Sequence, residues 1–227
     1  MPYAIRIHSF GGPEVMKWEP VGAVEPGPNE VLVRHTAIGL NFIDIYERTG
    51  LYPNPLPTGL GREAAGVVVA TGAKVTGLRD GDRVGYFSDQ PGTYAEERIV
   101  AADRLMKIPE GVSDRLAAAA MLKGLTAQFL LRRTYRVKRG TVAVIHAAAG
   151  GVGMIATQWA NRLGATVIGV VGSDAKAEVA RRHGCHHVLI LGRDELPAAV
   201  RKLTRGRGAH VVYDSVGKDT FFASLDC

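Results

Sequence analysis

The chain has 227 residues, 46% of them hydrophobic and 22% charged, with a formal net charge of +6. Those proportions are ordinary for a globular protein, the length suffices for two small domains, and no apolar run is long enough to span a bilayer. Only two cysteines, Cys185 and Cys227, are present, which excludes a disulfide framework; the basic residues lie apart from the aromatics, which argues against a nucleic-acid face.

The opening Met1-Pro2-Tyr3-Ala4-Ile5-Arg6 lacks the pattern of a signal peptide, so a cytoplasmic location is expected. Short strands separated by turn residues follow. Tyr3 to His8 precedes Gly11-Gly12-Pro13, and Glu30 to Leu40 follows Pro26-Gly27-Pro28-Asn29. Asn41 to Arg48 is expected to be helical, and Leu51 to Pro57 is a proline-rich loop. Further strands are expected at Glu63 to Thr71 and Arg83 to Tyr86, with two more between Tyr94 and Pro109. This pattern predicts a small, partly closed β-barrel.

From Ser113 the hydrophobic period changes. Ser113-Asp114 caps a helix through Leu122, which Gly124 is expected to interrupt before Thr126 to Arg133 continues it. Strands at 142–146, 166–171, 187–191 and 210–214 then alternate with helices at 151–163, 175–183 and 195–204. That alternation predicts a doubly wound α/β sheet of four readable strands, with Asp219 to Cys227 entering another helix. Such a sheet normally has six strands, so a fragment or a natural short form is expected.

The most informative segment is Ala147-Ala148-Ala149-Gly150-Gly151-Val152-Gly153, between a buried strand and an amphipathic helix. It lets the backbone approach a diphosphate and present a helix N-terminus to its charge. Against G-x-G-x-x-G, the first glycine is Ala148. A second strand about 20 residues on supplies the context that the motif requires. Gly150, Gly151 and Val152 are therefore expected to bind the cofactor. Where that second strand ends, NAD-preferring proteins usually carry an acid. This chain has Gly172-Ser173-Asp174-Ala175-Lys176. Gly172, Ser173 and Lys176 suit a 2′-phosphate and favour NADPH, while Asp174 argues the other way unless it is simply a first-turn helix acid. Ser215, just after the fourth strand, faces the same crevice.

These features, with Gly39-Leu40-Asn41-Phe42-Ile43-Asp44, Tyr46, Gly50-Leu51-Tyr52-Pro53, Gly59 to Gly66, Gln158 and Val212-Tyr213-Asp214-Ser215-Val216-Gly217, resemble the zeta-crystallin-type NADPH:quinone oxidoreductases. These form a zinc-free branch of the medium-chain dehydrogenase/reductase superfamily. The resemblance covers essentially the whole chain. It implies a GroES-like substrate and catalytic domain at 1–124 and an incomplete Rossmann-type NADP-binding domain at 125–227. Zinc alcohol dehydrogenases of the same superfamily place a metal-binding Cys where this chain has Asn41 and a His where it has Arg62. No metal is therefore expected.

Without a Lewis acid, hydrogen-bond donors must polarise the substrate, and a quinone is electron-poor enough for that to suffice. The resemblance puts Asn41, Tyr46 and Tyr52 beside the nicotinamide as those donors, with a core position the alternative for Tyr46 and loop packing the alternative for Tyr52. It also implies cofactor contacts at Phe42, Ile43, Asp44, Tyr46 and Phe129, with simple core packing the alternative for Phe129. Asp44 either orients a donor or caps a backbone group. Relatives often end the third strand with a Tyr that reaches the adenosine, where this chain has Leu191. The expected activity is NADPH-dependent quinone reduction. Alternatives are enone reduction, or a non-catalytic relative that binds NADPH or RNA. A homodimer is expected for the full-length protein, with the usual interface strands absent from this segment.

Overall fold

In the computed structural model, which describes residues 1–227, the strand signals of the first half become eight strands. They are β1 (Tyr3–Ile7), β2 (Lys17–Pro20), β3 (Glu30–Ile38), β4 (Thr58–Gly59), β5 (Glu63–Thr71), β6 (Arg83–Phe87), β7 (Glu97–Ala101) and β8 (Met106–Lys107). Five form one antiparallel sheet in the order β7-β3-β5-β6-β8, and three form another in the order β2-β1-β4. The barrel is not closed: the larger sheet keeps β7 and β8 as edges. Alternation along β3 turns Val31 and Val33 inward against Ala64, Val68, Val84, Tyr86 and Val100.

Two strands are absent from the sequence reading. β2 is mostly exposed and ends on Pro20, so it has no apolar alternation to betray it. β4 is only two residues long. β3 ends at Ile38, short of the expected Leu40, because the chain turns at Gly39. A Cβ there would lie 2.3 Å from the Glu63 side chain and 2.4 Å from the Ala118 carbonyl oxygen. Helix α1 (Phe42–Thr49) follows, closed by Gly50 in the left-handed region at φ +81°.

Helix α2 (Asp114–Phe129) carries the chain from the first unit, Met1–Leu122, into the second, Lys123–Cys227. It runs unbroken through Gly124, contrary to the expected interruption. One interior glycine costs about 1 kcal/mol against alanine, too little to break an alanine- and leucine-rich helix of this length. A wide helical turn at Leu130–Thr134 ends it.

The second unit follows the predicted alternation: β9 (Val142–His146), α3 (Gly151–Arg162), β10 (Thr166–Val171), α4 (Asp174–Arg182), β11 (His187–Ile190), α5 (Leu196–Leu203), β12 (Val211–Tyr213) and α6 (Phe221–Leu225). All four strands are parallel, in the order β11-β10-β9-β12. Sheet residues alternate between two cores, as double winding requires. Ala143, Ile145 and Val167 pack with Ala156 and Ala160 of α3 and with Ala177 and Ala180 of α4. Val144, Ile168, Val170 and Leu189 pack with Leu196 and Val200 of α5. Alanines on α3 and α4 allow those helices to sit close to the sheet. No helix is long and apolar enough to cross a membrane.

Candidate functional site

The chain adds β10 and β11 on one side of β9 and then crosses to place β12 on the other, so the winding switches at β9, and the turn after β9 is the glycine-rich segment. Ala147 sits there in the left-handed region at φ +47°, a conformation that costs a non-glycine residue about 1 kcal/mol or more. Neighbouring bonds impose it: Ala148 N–H donates to Val170 O at 3.2 Å, and Gly150 N–H donates to Ala147 O at 2.7 Å. Helix α3 then starts at its extended N-cap Gly150, and its first intrahelical bond runs from Met154 N–H to Gly150 O at 2.8 Å. The amides of Gly151, Val152 and Gly153 precede that bond and point out of the helix end. Gly153 is required sterically, since a Cβ there would lie 2.2 Å from the Ala147 carbonyl oxygen and 2.8 Å from Ala148 Cα. Three outward amides at the positive end of a helix, with backbone packed closely at Gly153, fit an anionic diphosphate.

At the end of β10, Gly172 is exposed, and a Cβ there would meet nothing within 4 Å. Ser173 is the N-cap of α4, its hydroxyl accepting from Lys176 N–H at 3.4 Å; the Lys176 side chain is exposed. Asp174 is a first-turn acid, and it also holds Arg193 through bonds of 2.8 and 2.7 Å. Hydrogen bonding and charge from that guanidinium hold the Asp174 carboxyl below the usual carboxylate range. Ser215 is exposed on the loop after β12. That loop is ordered by Asp214, whose Oδ1 accepts the Val216 and Gly217 amides at 2.8 and 3.0 Å. Asp214 Oδ2 accepts the Thr220 and Ser224 hydroxyls, each at 2.7 Å. Burial pushes the Asp214 carboxyl upward, but these four bonds outweigh it and leave it well below the ordinary range. Ser224 also meets His146 Nε2 at 3.2 Å, and burial lowers the pKa of that histidine. Phe129, at the end of α2, is 57% exposed, so it is not a core residue of its own unit.

In the first unit, the remaining candidates gather around α1. Asn41 is its N-cap and donates from Nδ2 to Glu63 Oε1 at 2.8 Å. Glu63 is fully buried and also accepts the Leu122 N–H at 2.7 Å on Oε2. Asp44 is buried and caps the Asn41 N–H at 2.8 Å while accepting the Tyr94 hydroxyl at 2.8 Å. Burial pushes its carboxyl up, against the pull of those two bonds. Both bonds end on Oδ2, so that oxygen of Asp44 is committed to the backbone and Tyr94. Ile43 is half-buried, and Phe42, Tyr46 and Tyr52 are exposed. Their rings form a row: Phe42 to Tyr46 is 6.4 Å, and Tyr46 to Tyr52 is 5.4 Å edge-on. Tyr52 N–H donates to Tyr46 O at 3.1 Å, which ties the proline-rich loop to α1.

Sequence reasoning missed Glu47, Tyr94 and Arg193, and gave no role to Glu63 or Asp214. The available signal was an acid opening the apolar run Glu63-Ala64-Ala65-Gly66-Val67-Val68, where only a partnered carboxylate is tolerated.

Residues 27–110 match the family model described as the alcohol dehydrogenase GroES-like domain, and residues 151–227 match the one described as zinc-binding dehydrogenase. The donor set does not fit zinc. Arg62 presents a guanidinium to the Glu47 carboxylate and the Asp89 carbonyl, and Asn41 is turned to Glu63. His186 Nδ1 accepts the Val167 N–H at 3.0 Å, and no three or more His, Cys, Asp or Glu side chains gather as a metal site. The chain is 50% identical over 228 residues to a quinone oxidoreductase of Pseudomonas aeruginosa, covering all of this chain and 70% of that one. It is 47% identical over 234 residues to a 2-haloacrylate reductase of Burkholderia sp, again covering all of this chain and 70% of the relative. The crystal structure of the Escherichia coli quinone oxidoreductase complexed with NADPH superposes with a TM-score of 0.95 at 46% identity, over 99% of this chain and 69% of that one. The chain belongs to the quinone oxidoreductase family of the medium-chain dehydrogenase/reductase superfamily.

Proposed function

We propose that this chain reduces quinones with NADPH and without a metal, the second unit receiving the dinucleotide and the first unit holding the substrate carbonyl. The observation that carries this reading is the β9–α3 turn, where three amides stand at a helix end and Gly153 leaves no room for a side chain against the Ala147 backbone. When bound, NADPH supplies the reducing equivalents, as hydride or as electrons in stages. The chain's own residues do the rest. The Gly151, Val152 and Gly153 amides bind the diphosphate, and Gly172, Ser173 and Lys176 accommodate the adenosine ribose and its 2′-phosphate. Ser215, Phe129, Phe42, Ile43 and Tyr46 supply further cofactor contacts.

Asn41, Tyr46 and Tyr52 hold the substrate oxygen and stabilise the negative charge that grows on it. Glu63 and Asp44 fix the side chain and backbone of Asn41, so its orientation is set before substrate arrives. The edge-on Tyr46–Tyr52 pair keeps two phenol donors on one surface. A homodimer and a cytoplasmic location accompany this reading, to be checked by sedimentation and cell fractionation.

Likeness to a 2-haloacrylate reductase favours a second reading, reduction of an alkene conjugated to a carboxylate. The test is NADPH oxidation followed by absorbance with 1,4-benzoquinone, a 2-haloacrylate and an aldehyde in parallel. Turnover with the quinone alone, insensitive to a chelator, is the expected result. Turnover with the haloacrylate alone supports the second reading, and chelator-sensitive turnover of the aldehyde overturns both.

A further inference from the structure

We propose that Arg193 discriminates NADPH from NADH in this chain, with Asp174 as its positioning residue; the inference rests on the NADPH reading above. β10 and β11 end side by side: Val171 is paired with Ile190, and Leu191 N–H donates to Val171 O at 2.8 Å. The turns that follow them therefore open on the same edge of the sheet. One carries Gly172, Ser173 and Asp174, and the other carries Gly192 and Arg193.

The second turn is stiff. Arg193 and Asp194 both donate their amides to Ile190 O, at 3.0 and 2.9 Å, and Asp194 Oδ2 accepts the Ile190 N–H at 2.6 Å. Gly192 takes φ +83°, a conformation that favours glycine. From this fixed base Arg193 reaches Asp174 with two bonds, Nη1 to Oδ1 at 2.8 Å and Nη2 to Oδ2 at 2.7 Å.

Two consequences follow from that fork. Asp174 stands where a carboxylate would accept the ribose hydroxyls of NADH and repel a 2′-phosphate. Both of its oxygens are instead taken by Arg193. The guanidinium has five N–H donors and spends two on Asp174, which leaves the Nε–H and one N–H on each Nη for an anion. The Arg193 side chain is 59% exposed, so those donors are accessible from solvent. Together with Ser173 and Lys176 they suit a phosphomonoester dianion on the adenosine 2′-oxygen. Leu191 cannot stack on the adenine as a tyrosine would, which leaves the phosphate as the principal handle at this end of the cofactor.

The experiment is calorimetric titration of the full chain with NADPH, NADH and 2′,5′-ADP, comparing wild type, R193Q and D174A/R193Q, with Tm measured for each. The R193Q chain is expected to bind NADPH and 2′,5′-ADP about tenfold or more weakly, the loss of one charge-assisted phosphate contact. Its NADH affinity is expected to rise, since Asp174 is released to the ribose, and D174A/R193Q is expected to lose that gain. Tm should hold, because the pair is exposed. Equal weakening of both dinucleotides, or no change in either, would make this an exposed ion pair only and overturn the inference while the NADPH reading stands. A wild-type chain that binds neither dinucleotide overturns both.

Discussion

The two units handle charge in opposite ways. The first buries Asp44, Glu47 and Glu63, whereas no acid is buried in the second, whose interior polar groups are hydroxyls and the single histidine His146. In the second unit, the proposed diphosphate site is made of main-chain amides at a helix end, and the interior needs only small apolar residues to bring helix and sheet together. In the first, the proposed substrate donors are side chains, and one of them, Asn41, is held by the buried carboxylates of Glu63 and Asp44. Binding a diphosphate can be done by backbone, while polarising a carbonyl demands donors held from behind. This contrast can be broken at several points.

The largest expected effect is at the sealed acids. Glu47 is 1% exposed and partners Arg62, so E47Q leaves a guanidinium without its counter-charge. A loss of about 3–5 kcal/mol in urea denaturation is expected. An unchanged midpoint would mean that the first unit does not depend on its buried charge.

Next comes the glycine turn. G153V drives its Cβ to 2.2 Å from the Ala147 carbonyl oxygen, a backbone atom that cannot swing aside. A stability loss of about 3 kcal/mol is expected, with NADPH affinity falling about a hundredfold. G172A is the control, because a Cβ there meets nothing within 4 Å, and it should keep wild-type stability.

Acid should weaken the first unit through His35. Its Nδ1 meets Ala95 O at 2.6 Å, its Nε2 meets the Tyr86 hydroxyl at 2.8 Å, and Arg98 lies near. Burial, the largest cause, acts with the Arg98 charge against the Ala95 bond and brings its pKa from 6.5 to about 4. The unfolded chain therefore binds the extra proton between those values. Stability is full above pH 6.5 and is lost as pH falls toward 4, by up to about 3 kcal/mol, and H35Q should flatten that slope in denaturation measured across the range.

The smallest effects are at the exposed phenols. Tyr46 and Tyr52 are 36% and 53% exposed, so Y46F and Y52F should leave Tm unchanged. Each should lower kcat with a quinone about tenfold, the share of one hydrogen bond to a developing charge, and Y52F should do so with little change in NADPH affinity. Wild-type turnover in both variants removes them from the substrate site.

The same contrast explains what the sequence disclosed. The parallel sheet was legible because β9 and β10 are buried on both faces and read as unbroken apolar runs, and because a diphosphate turn needs glycine at fixed spacing. Strands β5 and β6 were legible as short apolar runs on either side of the turn at Gly81. β2 was not, since an exposed edge strand has no apolar face to display. The partners of the candidate residues were hidden for a different reason. Asn41 meets Glu63 from 22 positions away, Asp44 meets Tyr94 from 50, and Arg193 meets Asp174 from 19, separations at which no local pattern reports contact. Gly124 misled because a glycine signals a break only where the flanking helix is weak.

The central claim is that the amides opening α3 receive the dinucleotide's diphosphate. Backbone amide NMR of the chain titrated with NADPH tests it most directly. The account predicts that the Gly151, Val152 and Gly153 resonances move most and saturate together. Shifts confined to other segments, with these three amides still at their free positions when the cofactor is saturating, would contradict it.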